Sequence, residues 1–136
     1  MKLMKLAIIL DPLESLKTCK DSTYAVMRAA HSRGHELYVM EQHELALRDG
    51  AVAGFTRKLD LVDGELRWYA LEAPAWRALS GFDVTLMRKD PPFDMEYVYS
   101  TYLLELAEAQ GARVFNRPAA IRDFNEKLST AKFPEF

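Results

Sequence analysis

Short apolar runs and helical periodicity alternate along the first forty residues. The run Met4–Leu10 is almost wholly apolar and ends at Asp11, which predicts a buried first strand. A helical pattern capped at residue 21 or 22 runs to about Arg33, with Gly34 as its stop. The segment His35–Met40 predicts a second strand. Strand, helix and strand in this order predict a right-handed parallel crossover.

Two Asp-Gly pairs then interrupt this alternation of strand and helix. Asp49-Gly50 and Asp63-Gly64 predict tight hairpin turns, because a type I′ turn needs positive φ and glycine adopts it readily. The segments beside these turns read as strands and cover residues 45–48, 52–62 and 65–71. They predict an antiparallel meander inserted at the edge or end of a parallel sheet. We expect Trp68, Tyr69 and Trp76 to pack this insertion down rather than to stack on a ligand.

The second half of the chain repeats the strand-and-helix order. The apolar run Phe82–Met87 predicts a third parallel strand, followed by a charged loop that contains two prolines. Asp94 is a candidate N-cap for a helix over Met95–Gln110. Its predicted buried face consists of Met95, Tyr99, Tyr102, Leu103, Leu106 and Ala107. A fourth short strand over 112–115 and two short helical pieces complete the predicted α/β fold.

Length, net charge and cysteine count limit the classes of protein to which the chain can belong. A chain of 136 residues is long enough for one domain with a hydrophobic core. A net charge of −2 predicts no nucleic-acid partner and no anionic membrane surface, and no stretch approaches the roughly 20 apolar residues of a membrane span. The single cysteine fits a cytoplasmic protein. Pro134 between exposed aromatics leads us to expect one domain of a longer protein.

The common motifs for catalysis and cofactor binding are absent. The six glycines stand singly, so the chain has neither a Gly-x-Gly-x-x-Gly dinucleotide fingerprint nor a phosphate-binding P-loop. No Gly-x-Ser-x-Gly nucleophile elbow is present. The three histidines are expected to be surface residues, and no metal site is predicted.

Charged and polar residues instead follow the predicted parallel strands. They are Asp11 after the first strand, Arg88, Lys89 and Asp90 after the third, and Asn116 and Arg117 after the fourth. If these strands are neighbours, the side chains converge on one rim, where Arg88 can hold a carboxylate bidentately. Asp11 could bind an amine or orient Arg88, so an amino acid or short peptide would fit. A solvated rim with internal salt bridges is the alternative, and physical reasoning alone leaves both open.

Three segments carry a resemblance to a known family. Met87–Asp94, Tyr99–Tyr102 and Asn125–Leu128 closely resemble the N-terminal part of bacterial glutathione synthetase. Leu10–Pro12 and Lys20–Ser22 fit the same pattern, and the resemblance covers essentially the whole chain in order and spacing. The ATP-grasp domain that follows in that enzyme is not part of these 136 residues.

The resemblance implies a fold and a reaction. Residues 1–124 would form a three-layer α/β/α Rossmann-like pre-ATP-grasp domain with a mainly parallel sheet and an inserted antiparallel meander, and 125–136 would begin the linker and ATP-grasp region. The full enzyme ligates γ-glutamylcysteine and glycine with ATP and Mg²⁺ through an acyl phosphate. Arg88 would act at the dipeptide side as a catalytic and substrate-binding residue, and Lys127 would reach an ATP phosphate. Strand-end geometry adds Asp11 and Asp90 as substrate-binding candidates.

Further expectations follow from the same resemblance. ATP and Mg²⁺ would be bound mainly by the ATP-grasp domain, the full-length enzyme would be a homo-oligomer, and the fragment alone would be inactive. Two alternatives remain: another ATP-grasp amino-acid or peptide ligase, and a stand-alone flavodoxin-like binding domain. The acidic residues of a phospho-receiver are missing, because Asp11-Pro12 and Met87-Arg88 stand at their positions.

Overall fold

A computed structural model describes residues 3–16, 22–62, 68–89 and 94–115. Helices α1 and α2 are Ser22–Ser32 and Met95–Ala109. The strands β1 to β8 are, in chain order, Lys5–Ile9, Glu36–Met40, Leu45–Arg48, Ala51–Leu61, Tyr69–Leu71, Ala75–Ala78, Val84–Met87 and Val114–Phe115. The predicted region from residue 125 onward lies outside the described residues.

The described strands form one mixed sheet. Its order is β3-β4-β2-β1-β7-β8, with β5 and β6 also paired to β4. Strand β1 pairs in parallel with β2 and β7, and β8 pairs in parallel with β7. Strand β4 runs antiparallel to β2, β3, β5 and β6. The α/β class with a parallel half and an antiparallel insertion is confirmed, although the antiparallel half is as large as the parallel one among the described strands.

The alternation of side chains along β1 places one helix on each face of the sheet. Leu6 and Ile8 share a buried cluster with Met27 of α1. Ala7 and Ile9 share the other buried cluster with Leu104 of α2. Because successive side chains in a strand point to opposite faces, α1 and α2 cover opposite sides. The three-layer arrangement is therefore confirmed.

The insertion contains the first of its two predicted turns. Asp49 has φ +50° and Gly50 has φ +80°, as a type I′ hairpin requires, and β3 and β4 pair on either side of them. Asp63-Gly64 lies outside the described residues. Trp68 packs against Tyr24 of α1, with ring centroids 4.9 Å apart, and Tyr69 is buried. Trp76 packs on Phe55 but remains 41% exposed.

The predicted buried face of α2 was wrong for four of its six residues, whereas Ala107 is buried and Leu103 packs partly buried against the core. The residues that face the sheet are Tyr97, Ser100, Thr101, Leu104 and Ala107, whereas Met95, Tyr99, Tyr102 and Leu106 are exposed. Ser100 and Thr101 donate their hydroxyl hydrogens to the helix's own carbonyl oxygens, at 3.0 Å from Glu96 and 2.6 Å from Val98. Because these bonds satisfy the hydroxyls locally, small polar residues can be buried at little cost. The spacing of apolar residues alone therefore does not identify Ser100 and Thr101 as part of the buried face of α2.

Gly54 lies where β4 crosses closely over Met40. A Cβ at Gly54 would overlap the Met40 sulfur and lie 2.8 Å from its Cε. Because Met40 is buried, its side chain cannot turn into solvent to relieve this overlap. We expect Gly54→Ala to lower the free energy of unfolding by about 1–3 kcal/mol through overpacking. Urea denaturation measures this. The matched control is Gly81→Ala, where a Cβ meets no atom within 4 Å. Equal stabilities of the two variants would contradict the close packing described here.

Candidate functional site

The carboxyl ends of β1 and β7 lie side by side at the point where the strand order reverses. From β1 the chain passes through α1 to β2 on one side, whereas β7 pairs with β1 on the other side. Open α/β sheets bind ligands in the crevice at such a switch point, outside the carboxyl ends of the strands. The side chains at these two strand ends therefore form the candidate site.

Asp11 and Lys89 join the two strand ends. The Lys89 ammonium lies 3.0 Å from the Asp11 carboxylate, and both side chains are about three-quarters buried. The backbone oxygen of Lys89 accepts a hydrogen bond from the Tyr97 hydroxyl at 3.4 Å, which links this pair to the first turn of α2. The charge of Lys89 is thus compensated within the chain.

Arg88 reaches across the rim to the first turn of α1. Its backbone N–H donates to the Ile9 carbonyl at 2.8 Å, as the parallel pairing of β1 and β7 requires. Its side-chain Nε donates to the Thr23 hydroxyl at 3.2 Å, and its Nη2 donates to the Ser22 hydroxyl at 2.6 Å. The guanidinium is therefore held between a strand end and a helix N-terminus.

The positive charge of the Arg88 guanidinium is not compensated by a carboxylate within the described residues. Among the described residues no carboxylate forms an ion pair with Arg88, in contrast to Lys89. The N-terminus of α1 adds the partial positive charge of its backbone N–H groups. A carboxylate or phosphate oxygen would be stabilised at this position.

Comparison with known proteins identifies the family. A family model described as the prokaryotic glutathione synthetase N-terminal domain matches residues 4–122. The chain belongs to this family. Glutathione synthetase of Nitrosomonas europaea is 60% identical over 136 residues, which cover 98% of the chain and 42% of the relative. The Ralstonia nicotianae enzyme is 53% identical over 133 residues, covering 98% and 41%. The Coxiella burnetii enzyme is 45% identical over 131 residues, covering 96% and 41%.

These glutathione synthetases are longer than the chain. The chain spans about two-fifths of the length of these curated relatives.

The structure brings together some of the site residues that the sequence predicts for this glutathione synthetase N-terminal domain. Asp11, Arg88 and Lys89 converge on one rim, as expected from their positions after parallel strands. Asp11 does not orient Arg88, because it binds Lys89, and the groups that orient Arg88 are hydroxyls. Asp90 and Lys127 lie outside the described residues, as do Asn116 and Arg117.

Ser22 and Thr23 are site residues that sequence reasoning missed. The sequence pattern gives Ser22 only as a candidate helix cap and gives Thr23 no role, yet their hydroxyls are the partners of Arg88. The available signal was topological: the helix that follows β1 begins at the same rim where β1 ends. A hydroxyl in the first turn of that helix is within reach of the neighbouring strand end.

Two negative findings apply to the described ranges 3–16, 22–62, 68–89 and 94–115. No group of three or more His, Cys, Asp or Glu side chains in them is arranged to hold a metal ion. No helix within those ranges is long and apolar enough to cross a membrane.

Proposed function

We propose that the chain is the substrate-side domain of a glutathione synthetase, an ATP-dependent carbon–nitrogen ligase that joins γ-glutamylcysteine to glycine. The observation that carries the proposal is the position of Arg88 in a member of this family. Its guanidinium lies at the switch point of the sheet and has no carboxylate partner among the described residues. γ-Glutamylcysteine carries two carboxylates, and an arginine binds a carboxylate with two parallel hydrogen bonds.

The chemistry needs alignment and charge neutralisation more than a protein nucleophile. A substrate carboxylate would attack the γ-phosphate of ATP, which releases ADP and gives an acyl phosphate. The amine of glycine would then attack the acyl carbon, lose a proton and displace inorganic phosphate, which leaves the amide. Arg88 would hold a carboxylate of the dipeptide and fix the direction of approach. Asp11 is paired with Lys89, so Asp11 would act mainly by fixing the rim rather than by binding the substrate amine directly. Asp90 remains a proposed substrate contact.

ATP and Mg²⁺ would be held mainly by a nucleotide-binding part outside this chain. The rim offers cations and hydroxyls, which suit phosphate and carboxylate oxygens, and the described residues provide no carboxylate cluster for a metal. Lys127 is proposed to reach an ATP phosphate. Mg²⁺ would neutralise the charge that develops on the transferred phosphoryl group. We further propose a cytoplasmic homo-oligomer, with no nucleic-acid partner and no membrane association.

A chimera tests this function. Residues 1–136 would replace the matching segment of the Nitrosomonas europaea enzyme, which is 60% identical over that length. We expect the chimera to form glutathione from γ-glutamylcysteine and glycine only when ATP is present. Other pairs of amino-acid or peptide substrates distinguish a different ligase. A folded chimera that ligates another pair better than γ-glutamylcysteine and glycine would contradict the proposal.

The isolated chain is expected not to turn over ATP. Its described residues offer an anion-binding rim but no metal cluster and, in the sequence, no P-loop. A phosphate-release assay on the 136-residue chain, run beside the chimera, measures this. Release by the isolated chain at a rate near that of the chimera would show that the nucleotide chemistry lies within these residues.

A further inference from the structure

The two hydroxyls that bind Arg88 occupy one edge of its guanidinium. The group carries five N–H donors in a plane, arranged as a side edge (Nε and Nη2) and an end edge (Nη2 and Nη1). Thr23 accepts from Nε at 3.2 Å and Ser22 accepts from Nη2 at 2.6 Å, and these are the two nitrogens of the side edge. Nη1 donates to no acceptor among the described residues, and Nη2 carries a second hydrogen beside the one that Ser22 accepts. The end edge can therefore bind both oxygens of a carboxylate.

Hydroxyl partners orient the arginine without cancelling its charge. Lys89, one residue further along, is neutralised by the Asp11 carboxylate at 3.0 Å. A carboxylate in place of Ser22 or Thr23 would fix Arg88 equally well but would compete with a substrate anion for its charge. Two neutral acceptors give the orientation and leave the full positive charge for a ligand.

The supporting hydroxyls lie on a helix that packs against the sheet. Thr23 is buried, and both hydroxyls belong to α1, which packs Met27 and Ala30 against the sheet. A long arginine side chain held in advance loses less conformational entropy when a ligand binds. The register of α1 on the sheet thereby sets the direction of the Arg88 end edge.

From this geometry we infer that Ser22 and Thr23 are positioning residues for the dipeptide substrate. They hold the side edge of Arg88 so that its end edge receives a carboxylate of γ-glutamylcysteine through two parallel hydrogen bonds. This inference rests on the proposed function, and it adds residues and a binding geometry that the function alone does not require. Neither hydroxyl touches the substrate; both act through Arg88.

The test uses the chimera and the paired change Ser22→Ala with Thr23→Val. The KM for γ-glutamylcysteine is expected to rise about tenfold, with kcat and the KM for ATP within about twofold, because a uniform binding interaction is lost. The matched control is Ser22→Thr with Thr23→Ser, which keeps both hydroxyls and is expected to stay within about twofold of the parent in every parameter. An unchanged KM for γ-glutamylcysteine in the hydroxyl-free variant would overturn the inference. A rise in this KM that is equally large in the control variant would also overturn it.

A mutant cycle separates this inference from the proposed function. In the Arg88→Ala background, removal of the two hydroxyls is expected to have no further effect, because they act only through the guanidinium. A further tenfold loss in that background would overturn the positioning role. If Arg88→Ala itself changes nothing, the proposed role of Arg88 is wrong. If Arg88→Ala is damaging and the hydroxyl variants are not, only the positioning inference is wrong.

Discussion

Arg88→Ala in the chimera is expected to lower kcat/KM for γ-glutamylcysteine by about 30- to 1,000-fold, which corresponds to ~2–4 kcal/mol of lost transition-state stabilisation. The substitution removes a guanidinium that the structure holds at the switch point without a carboxylate partner among the described residues. A substrate carboxylate would then lie at the rim without its charge partner. Steady-state kinetics with γ-glutamylcysteine varied at saturating ATP and glycine measure the loss.

Arg48→Ala is the matched control for this prediction. Arg48 is an exposed arginine at the end of β3, and it stacks on Trp76 at 4.3 Å from the ring centroid. Its removal is expected to leave kcat/KM within about twofold.

Arg88→Lys is expected to recover only part of the activity, since an ammonium cannot make the planar two-bond contact. An Arg88→Ala chimera with unchanged kcat/KM would remove Arg88 from the site.

Leu104→Ala is expected to lower the free energy of unfolding of the chain by about 2–5 kcal/mol. Leu104 is fully buried in the cluster that joins α2 to β1 and β7, so its removal leaves a cavity that rigid neighbours fill poorly. Urea denaturation of the 136-residue chain, followed by circular dichroism, gives the difference from the midpoint and slope.

Leu106→Ala provides the comparison on the same helix. Leu106 is 40% exposed, so the same substitution is expected to cost less than about 1 kcal/mol. The apolar pattern alone predicts the opposite order, because it places Leu106 rather than Leu104 on the buried face. A larger loss for Leu106→Ala would contradict the orientation of α2 described here.

Local patterns were sufficient for most of the described elements. The N-terminal strand, helix and strand, the Asp49-Gly50 turn and the Asp94 cap follow from short-range chemistry. Strand β6 was missed, because its sequence Ala-Trp-Arg-Ala has no apolar run and its pairing with residues 53–56 of β4 is a long-range contact that local sequence does not reveal. The buried face of α2 was predicted only in part, because the buried hydroxyls of Ser100 and Thr101 donate to carbonyl oxygens of the helix itself and apolar spacing does not reveal them.

The candidate site was predictable only in part. Asp11, Arg88 and Lys89 could be placed on one rim, because the carboxyl ends of parallel strands lie together. The partners of Arg88 do not follow from local sequence, since Thr23 and Ser22 are 65 and 66 residues away. Their contact depends on the neighbouring positions of β1 and β7, which the strand order alone determines.

A crystal structure of the chimera with γ-glutamylcysteine and a non-hydrolysable ATP analogue is the most direct measurement of where the dipeptide binds. We expect one dipeptide carboxylate to lie with its two oxygens about 2.7–2.9 Å from Nη1 and Nη2 of Arg88. Ser22 and Thr23 should keep their contacts with the side edge of that guanidinium. A bound dipeptide with both carboxylates on other groups, and Arg88 facing solvent, would contradict the account.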